Sequence, residues 1–330
     1  MTNTTSAGYR NIRDTAAAYR RGDAVLALGG PDRFAALSYL LAKRTEFAEP
    51  GTLVESAVLN AEGGIQDVVL ALIGEDEVLL VSELPEFFDV RAALAAGGFN
   101  DVTCTPRPDI ALAAIEGPAS WRAIEPLIEL EVSSLLLSES TPATVPGAAS
   151  ATVYRTGTTA EYGYLIVTEG LSAEALLACA TERALAVGGG VTDRAALIRA
   201  QAEVSHPVVP EQFTGLNVRE AGAVWLTSPD RDDEFLGSAA LADVAATRSL
   251  IAVRATGAEV PAGAEVRAGE TVIGTIHLAL PAAGEADGFG LALVDLPFNV
   301  PGLDLNADGV ALRTVSRPAA DPRSWVEAIG

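Results

Sequence analysis

The stretch Leu59-Asn60-Ala61-Glu62-Gly63-Gly64-Ile65-Gln66-Asp67 is the most specific pattern in the chain, and it joins two apolar segments, 53–59 and 65–73. Glycine adopts the positive φ angles that tight turns require, so the pattern predicts a β-hairpin. Asp67 then begins an apolar strand, where partial desolvation would raise its pKa and suit it to proton transfer or to pairing with a cationic ligand. A turn aspartate that binds its own backbone is the alternative interpretation.

Helical segments are predicted on both sides of this hairpin. Gly30-Pro31-Asp32 and Leu84-Pro85 each mark a helix start, and the second helix is expected to end at Gly97-Gly98, because proline suits the first turn of a helix and glycine its end. Further along, Ser172 and Thr192 are the predicted N-caps of two more helices.

Residues 246–330 lose helical periodicity and contain short apolar segments separated by Gly, Pro and Asp. This pattern predicts a small antiparallel barrel or sandwich. We therefore expect an α/β region over residues 1–245 and a C-terminal β domain over residues 246–330. The stretch Asp304 to Gly309 imitates the start of a calcium loop, but Val315 stands where that loop needs a glutamate, so a tight hairpin turn is predicted.

Composition limits the possible partners. The 330 residues include 22 basic and 44 acidic side chains, for a net charge of -22, which argues against nucleic acid or an anionic membrane as a partner. No apolar run is long enough to cross a bilayer, and residues 1–5 lack a basic start and an apolar signal core. We expect a cytoplasmic protein that acts on a small molecule, with its oligomeric state left open.

The residues that usually carry metal or nucleophilic chemistry are sparse. Two cysteines exclude a disulfide framework, and two histidines without metal-binding spacing predict no zinc or other metal site. No GxSxG pattern accompanies His206, and a lone histidine is more often structural than ligand-binding.

Five segments in order along the chain resemble the aminomethyltransferase family, which includes the T-protein of glycine cleavage and folate-dependent demethylases. The segments, each with the family pattern that it resembles, are Leu28-Gly29-Gly30-Pro31-Asp32 for "(V/L)xGPDA", Leu59 to Asp67 for "LNxxGGxxDD", Ile115-Glu116-Gly117-Pro118 for "(V)QGP", Arg155 to Tyr164 for "RTGYTGExGYE", and Asp233 to Leu241 for "DFxGxxAL". Their order and spacing span nearly the whole chain.

The resemblance implies an α+β fold, in which two interwoven α/β modules and a C-terminal antiparallel β-barrel form a cloverleaf around a tetrahydrofolate pocket. It places Asp67 near the folate nitrogens, as an orienting or proton-transfer group for one-carbon exchange. It also implies a folate-binding role for five positions, which are Asn60, Arg155, Tyr164, Leu165 and Arg194.

The chain departs from the family pattern at several of these places. The family's "GYE" glutamate binds the pterin, but Leu165 stands there and cannot accept a hydrogen bond. Loss of such a charge-assisted bond typically weakens binding by about 1.5 to 3 kcal/mol. The family's "FD(V/L)SH" element is replaced by Tyr19-Arg20-Arg21-Gly22, and its "TSGxxSP" element by residues 276–280.

Three functional hypotheses remain open at the level of sequence. The first is folate-dependent transfer of a methyl, methylene or aminomethyl unit, with Asp67 moving a proton and Arg155 or Arg194 binding carboxylates. The second is a repurposed, folate-independent cyclase, lyase or transferase on the same scaffold. The third is a binding protein without catalysis, in which removal of Asp67 would have almost no effect.

Overall fold

The computed structural model describes residues 4–243, 246–280 and 287–329, and these contain seven α-helices and seventeen β-strands. The helices are α1 Thr4–Asp14, α2 Arg33–Leu40, α3 Val90–Ala96, α4 Ser120–Ile124, α5 Ala173–Ala186, α6 Arg194–Glu203 and α7 Ser238–Asp243. Strands 1 to 9 are β1 Ala17–Arg20, β2 Ala24–Gly29, β3 Leu53–Leu59, β4 Ile65–Ile73, β5 Val78–Ser82, β6 Thr103–Pro106, β7 Ile110–Glu116, β8 Ser140–Pro142 and β9 Ser150–Arg155. Strands 10 to 17 are β10 Gly163–Glu169, β11 Gly190–Val191, β12 Arg248–Ala255, β13 Glu265–Ala268, β14 Thr271–Leu280, β15 Gly288–Asp295, β16 Asp304–Ala307 and β17 Val310–Val315.

Two sheets are built from interleaved parts of the chain. The first sheet has the strand order β11-β1-β7-β10-β9-β8, and the second has the order β3-β4-β5-β2-β6. The chain therefore starts in the first sheet with β1, forms the whole second sheet, and returns to the first sheet with β7. This connectivity brings residues that are far apart in sequence to one place between the sheets.

An apolar cluster fills most of the space between the two sheets. Leu53, Leu70, Leu72 and Val81 of the second sheet pack against five residues of the first, which are Ile110, Leu112, Tyr154, Leu165 and Val167. Helices α2 and α3 cover the other face of the second sheet, and α4 and α5 cover the other face of the first. Both sheets are thus buried on both faces, in keeping with their long apolar runs.

The predicted C-terminal β structure is confirmed as a closed barrel, with strand order β12-β15-β14-β13-β16-β17. All of its strand pairs are antiparallel. The predicted hairpin turn is also confirmed, because Asp308 and Gly309 connect β16 to β17 with φ angles of 49° and 83°. The domain division at residue 246 stays a prediction, and residues 244 and 245 beside it lie outside the described part of the chain.

Two predicted helix starts are wrong. Helix α3 begins at Val90 and not at Pro85, because the Asp89 side chain accepts a hydrogen bond from Ala92 N at 2.9 Å and so caps the helix there. Helix α6 is capped by Asp193, which accepts from Ala196 N at 2.8 Å, and not by Thr192. The predicted Ser172 cap of α5 is confirmed, with a hydrogen bond from Ala175 N at 3.2 Å.

Two of the sequence segments that carry the resemblance meet in space. A Cβ atom on Gly237 would lie 2.5 Å from Asn60 O, and one on Gly63 would lie 3.1 Å from Ala240 Cβ. Both glycines have positive φ. The hairpin at residues 59–67 and the start of α7 therefore pack too closely for larger residues, which explains why both segments need glycine. Within the described ranges, no helix is long and apolar enough to cross a membrane.

Candidate functional site

A cavity of about 40 Å³ lies beside the apolar cluster, where the two sheets meet α6 and the segment after it. We call it the central cavity. Fourteen residues line it: Tyr19, Arg21, Glu55, Val68, Val69, Leu70, Val81, Glu83, Arg194, Leu197, Gln201, His206, Pro207 and Val209. Eight of them lie on β1, β3, β4 or β5 or directly follow β1 or β5. The other six lie on α6 or in the segment after it. Charged groups at one side and aliphatic groups at the other give it the form of a small polar binding site.

Arg21 is the centre of the charged side. Its side chain is 4% exposed, its Nε donates to Glu83 Oε1 at 3.2 Å, and its Nη2 lies 4.0 Å from Glu55 Oε1. Glu55 Oε1 also lies 3.3 Å from His206 Nε2. We call these four residues the arginine cluster. Arg21 Nη1 is buried and has no hydrogen-bond partner among the residues that the structure describes.

Burial shifts the pKa values of two members of this cluster in opposite directions. Burial raises the pKa of Glu55, against the opposing effect of the nearby Arg21 guanidinium. Burial, together with Arg21, holds the pKa of His206 well below its ordinary value. A carboxyl and an imidazole whose pKa values move toward each other at 3.3 Å can exchange a proton, which is the arrangement used in general acid–base catalysis.

A second buried carboxylate, Glu116, lies next to the arginine cluster but is fully paired. It accepts hydrogen bonds from Thr158 N at 2.9 Å and Thr159 N at 3.0 Å, and from the hydroxyls of the same threonines at 3.0 and 2.7 Å. Tyr19 Oη donates to it as well. This network ties the segment 115–118 to the segment 155–164, so these two motif segments are joined through one structural carboxylate.

Asp67 lies in a different cavity. It is 2% exposed, and its carboxylate accepts from Ser82 Oγ at 2.6 Å and from Val68 N at 2.7 Å. Burial raises its pKa to about 6, against the effect of those two hydrogen bonds. It lines a cavity of about 200 Å³ that shares only Val209 with the central cavity. Asp67 thus has a desolvated carboxyl group, and one oxygen of that group accepts a hydrogen bond from the backbone amide of the next residue.

Val68 faces the central cavity in place of Asp67. On β4 the lining residues are Val68, Val69 and Leu70, and Asp67 is not among them. The family pattern "LNxxGGxxDD" has a second aspartate, and Val68 occupies that place in this chain. The β4 residues that line the central cavity are therefore all apolar.

Leu165 and Tyr164 lie on opposite faces of their strand. Leu165 is fully buried in the apolar cluster beside Leu70 and Val81, which line the central cavity. Tyr164 packs on the other face, beneath α4 and α5, where burial raises its pKa to about 12. Tyr164 therefore lies away from the central cavity, and Leu165 adds apolar surface next to it.

The structure separates the other predicted ligand-binding residues. Asn60 Oδ1 accepts from Gly64 N at 2.8 Å and holds the hairpin turn, and Arg155 Nη1 donates to Leu135 O at 2.7 Å. Arg194 alone lines the central cavity, where its Nη2 donates to Val209 O and to Glu211 at 2.8 Å each. It also lines an adjoining cavity of about 310 Å³ on the solvent side.

These residues do not fit tetrahydrofolate in the way that the resemblance implies. The central cavity itself, at about 40 Å³, holds about three water molecules, and larger groups would have to extend into the adjoining cavity of about 310 Å³. Leu165 offers no acceptor to the pterin donors, and Val68 offers none from the opposite sheet. The polar groups of the cavity come instead from the arginine cluster.

For one member of that cluster, His206, the sequence predicts a structural role. The other three are lone charged residues in or beside apolar strands, as in the segment Leu53-Val54-Glu55-Ser56-Ala57. A charge at a buried strand position is the signal that could have identified Glu55, because such groups need partners. Within residues 4–243, 246–280 and 287–329, no group of three or more His, Cys, Asp or Glu side chains is placed to hold a metal ion.

Known proteins similar to this chain were found by comparison of sequence and of fold. No family model matches the chain. It is 28% identical over 287 residues to the aminomethyltransferase of Streptomyces avermitilis, covering 83% of this chain and 76% of the relative. It is 27% identical over 303 residues to the aminomethyltransferase of Streptomyces coelicolor, covering 88% and 80%.

A solved structure agrees with these relatives in fold. The chain superposes on the glycine cleavage system aminomethyltransferase T from Bartonella henselae with a TM-score of 0.82 at 18% identity, covering 97% of this chain and 90% of that one. The predicted α+β fold with a C-terminal antiparallel barrel is confirmed. Together, the similarity to these aminomethyltransferases in sequence and the shared fold support a divergent member of the aminomethyltransferase family.

Proposed function

We propose that this chain is a folate-independent group-transfer enzyme whose reaction centre is the central cavity. The observation that carries the proposal is the exchange of polar groups in that cavity. Val68 in the cavity and Leu165 beside it replace the acids of the family pattern with apolar side chains, while the arginine cluster supplies charge from β3, from the residues that follow β1 and β5, and from the segment after α6.

The paired Glu55 and His206 suit the proton movements of group transfer. When a small group moves between two heteroatoms, the bond to the incoming atom forms as the bond to the outgoing atom breaks. The incoming atom loses a proton and the outgoing atom gains one, so one acid and one base within reach are enough. The Glu55–His206 pair, whose facing atoms are 3.3 Å apart, can take up the proton of the incoming atom and return one to the outgoing atom.

A second candidate is the folate-dependent one-carbon transfer implied by the resemblance, with Asp67 moving the proton. Its specific support is the pKa of about 6 at Asp67, a value suited to proton transfer at neutral pH, beside a cavity of about 200 Å³. The identity to two aminomethyltransferases supports it too. The two candidates differ in whether the native chain binds folate.

Calorimetric titration with tetrahydrofolate and 5-methyltetrahydrofolate separates them. We expect no heat from the native chain at ligand concentrations up to about 1 mM, which corresponds to a binding free energy weaker than about −4 kcal/mol. Micromolar binding by the native chain would overturn the proposal and favour the second candidate.

Variants show whether the two apolar positions are the cause. We expect the double variant Val68→Asp/Leu165→Glu to bind folate more tightly than the native chain, because each substitution adds a hydrogen-bond acceptor in or next to the central cavity. Leu165→Gln supplies a neutral acceptor and serves if the buried charges prevent folding. Leu165→Met keeps the apolar character and nearly the volume, so it is the matched control and should behave as the native chain does.

A further inference from the structure

Arg21 Nη1 is a charged donor without an acceptor in a place that water reaches poorly. The Arg21 side chain is 4% exposed, and its other two nitrogens already face Glu83 and Glu55. Nearly all buried polar atoms in proteins have a hydrogen-bond partner, so an unpaired donor that borders a cavity can take its acceptor from a ligand bound there. The best match for a guanidinium donor is a carboxylate oxygen.

The charges around Arg21 do not favour a simple anion, however. Two carboxylates, Glu55 and Glu83, flank one guanidinium, and the low pKa of His206 leaves its imidazole neutral. Arg194 also lines the cavity, so the two arginines and two glutamates of the lining balance, and a plain carboxylate would leave one negative charge unbalanced. A ligand that carries a cationic group as well would pair with both signs and leave the net charge unchanged.

The cavity also limits the size of the ligand. Its volume of about 40 Å³ corresponds to about three water molecules, or about four or five non-hydrogen atoms. Larger substituents can extend toward the adjoining cavity of about 310 Å³, because Tyr19, Glu83, Arg194 and Leu197 line both cavities.

We propose that the central cavity binds a small amino acid as its zwitterion, with the carboxylate accepting from Arg21 Nη1 and the ammonium donating to Glu55 and Glu83. His206 also lines the cavity and lies 3.3 Å from Glu55 Oε1, so a ligand bound at Glu55 alters the surroundings of its ring. The cavity would then be the substrate site of the proposed enzyme, so this inference rests on the proposed function and gives its substrate class.

The test is titration of the purified full chain with three probes, which are glycine, acetate and methylammonium. Glycine carries both charges, and each of the other probes carries one. We expect glycine to bind and both single-charge probes to bind at least tenfold more weakly. Equal binding of acetate and glycine would reduce the site to an anion site and overturn the inference, as would the absence of glycine binding.

The histidine ring signals locate the binding event. The chain has two histidines, of which His206 belongs to the arginine cluster and His277 lies on β14, 3.0 Å from Gln212 O. We expect glycine to shift the His206 ring resonances in an NMR titration and to leave those of His277 unchanged. Shifts at His277 alone would place the ligand elsewhere and contradict the inference.

A matched pair of variants tests the donor. Arg21→Gln removes the unpaired guanidinium, whereas Arg20→Gln alters the neighbouring arginine, whose side chain is half exposed beside Asp23. We expect at least a tenfold loss of glycine affinity in the first and none in the second. Because folate and glycine are titrated separately, folate binding would refute the proposed function, and failure of glycine alone would refute only this inference.

Discussion

Glu116 and Arg21 are two buried charged residues near Tyr19, and they differ in how completely their polar atoms are hydrogen-bonded. Glu116 receives four hydrogen bonds from Thr158 and Thr159 and another from Tyr19, so its carboxylate is saturated. Arg21 faces two carboxylates and a cavity with one donor left over. A saturated group stabilises the fold, whereas an unsaturated group beside a cavity is available to a ligand, and the contrast separates scaffold from site.

The largest expected effect comes from breaking the saturated network. Glu116→Ala leaves the Tyr19 hydroxyl and the amides of Thr158 and Thr159 buried without an acceptor. We expect a loss of about 3 to 5 kcal/mol in the free energy of unfolding, measured by urea denaturation. Glu129→Ala removes an exposed acid and should change it by less than about 0.5 kcal/mol. A loss below about 1 kcal/mol in Glu116→Ala would show that the network is not structural.

Much of this fold was predictable from the sequence because its strands are strongly apolar and end at glycines. The hairpin of β3 and β4 was located from Leu53 to Ile73, and the barrel from the loss of helical periodicity. The glycine pair at residues 63 and 64 fixed the turn. Helix starts were less certain, because several polar residues near Pro85 and Thr192 could serve as caps, and tertiary packing selected Asp89 and Asp193.

The candidate site was much harder to predict. The sequence of β4 does not show which of its residues border the central cavity, because the packing of the sheets and α6 decides that Val68, Val69 and Leu70 do and Asp67 does not. The arginine cluster combines β1, β3, the end of β5 and the segment after α6, and no local pattern connects positions so far apart in the chain. The assignment of Asp67 as the proton-transfer residue stays a prediction.

Asp67 offers the next largest effect, through pH. Its pKa in the folded chain, about 6, is above its ordinary value of 3.8, so the folded state favours the protonated form. The resulting stabilisation is complete below pH 3.8 and is lost as the pH rises through about 6. Two pKa units correspond to about 3 kcal/mol. We expect the free energy of unfolding of the native chain, relative to that of Asp67→Asn, to fall by about this amount between pH 4 and pH 7.

Urea denaturation at a series of pH values checks this difference. Comparison with Asp67→Asn cancels the contributions of His206 and of the other groups that titrate in the same range. Asp109→Asn is a suitable control, because Asp109 is exposed beside Arg107. A difference between the native chain and Asp67→Asn that stays constant with pH would mean that Asp67 is already ionised throughout the range, and would remove its support as a proton-transfer group.

The smallest effect sharpens the contrast between the two buried groups, because it has the opposite sign. Replacing a buried ion pair with apolar residues of similar size is often neutral or stabilising, since the charges no longer have to lose water. Arg21→Met/Glu55→Leu does this to the arginine cluster, and Glu83, about one third exposed, can turn its carboxylate toward water. We expect unfolding in urea to show a gain of about 1 to 2 kcal/mol, together with loss of glycine binding.

The matched double variant Tyr19→Phe/Glu116→Leu applies the same exchange to the saturated network, but there it leaves the backbone amides of Thr158 and Thr159 unpaired. We therefore expect it to destabilise the chain. If both double variants lost stability equally, the arginine cluster would be as structural as Glu116. A gain confined to Arg21→Met/Glu55→Leu would mean that the chain keeps these charges at a cost to its stability, which is typical of a group retained for binding.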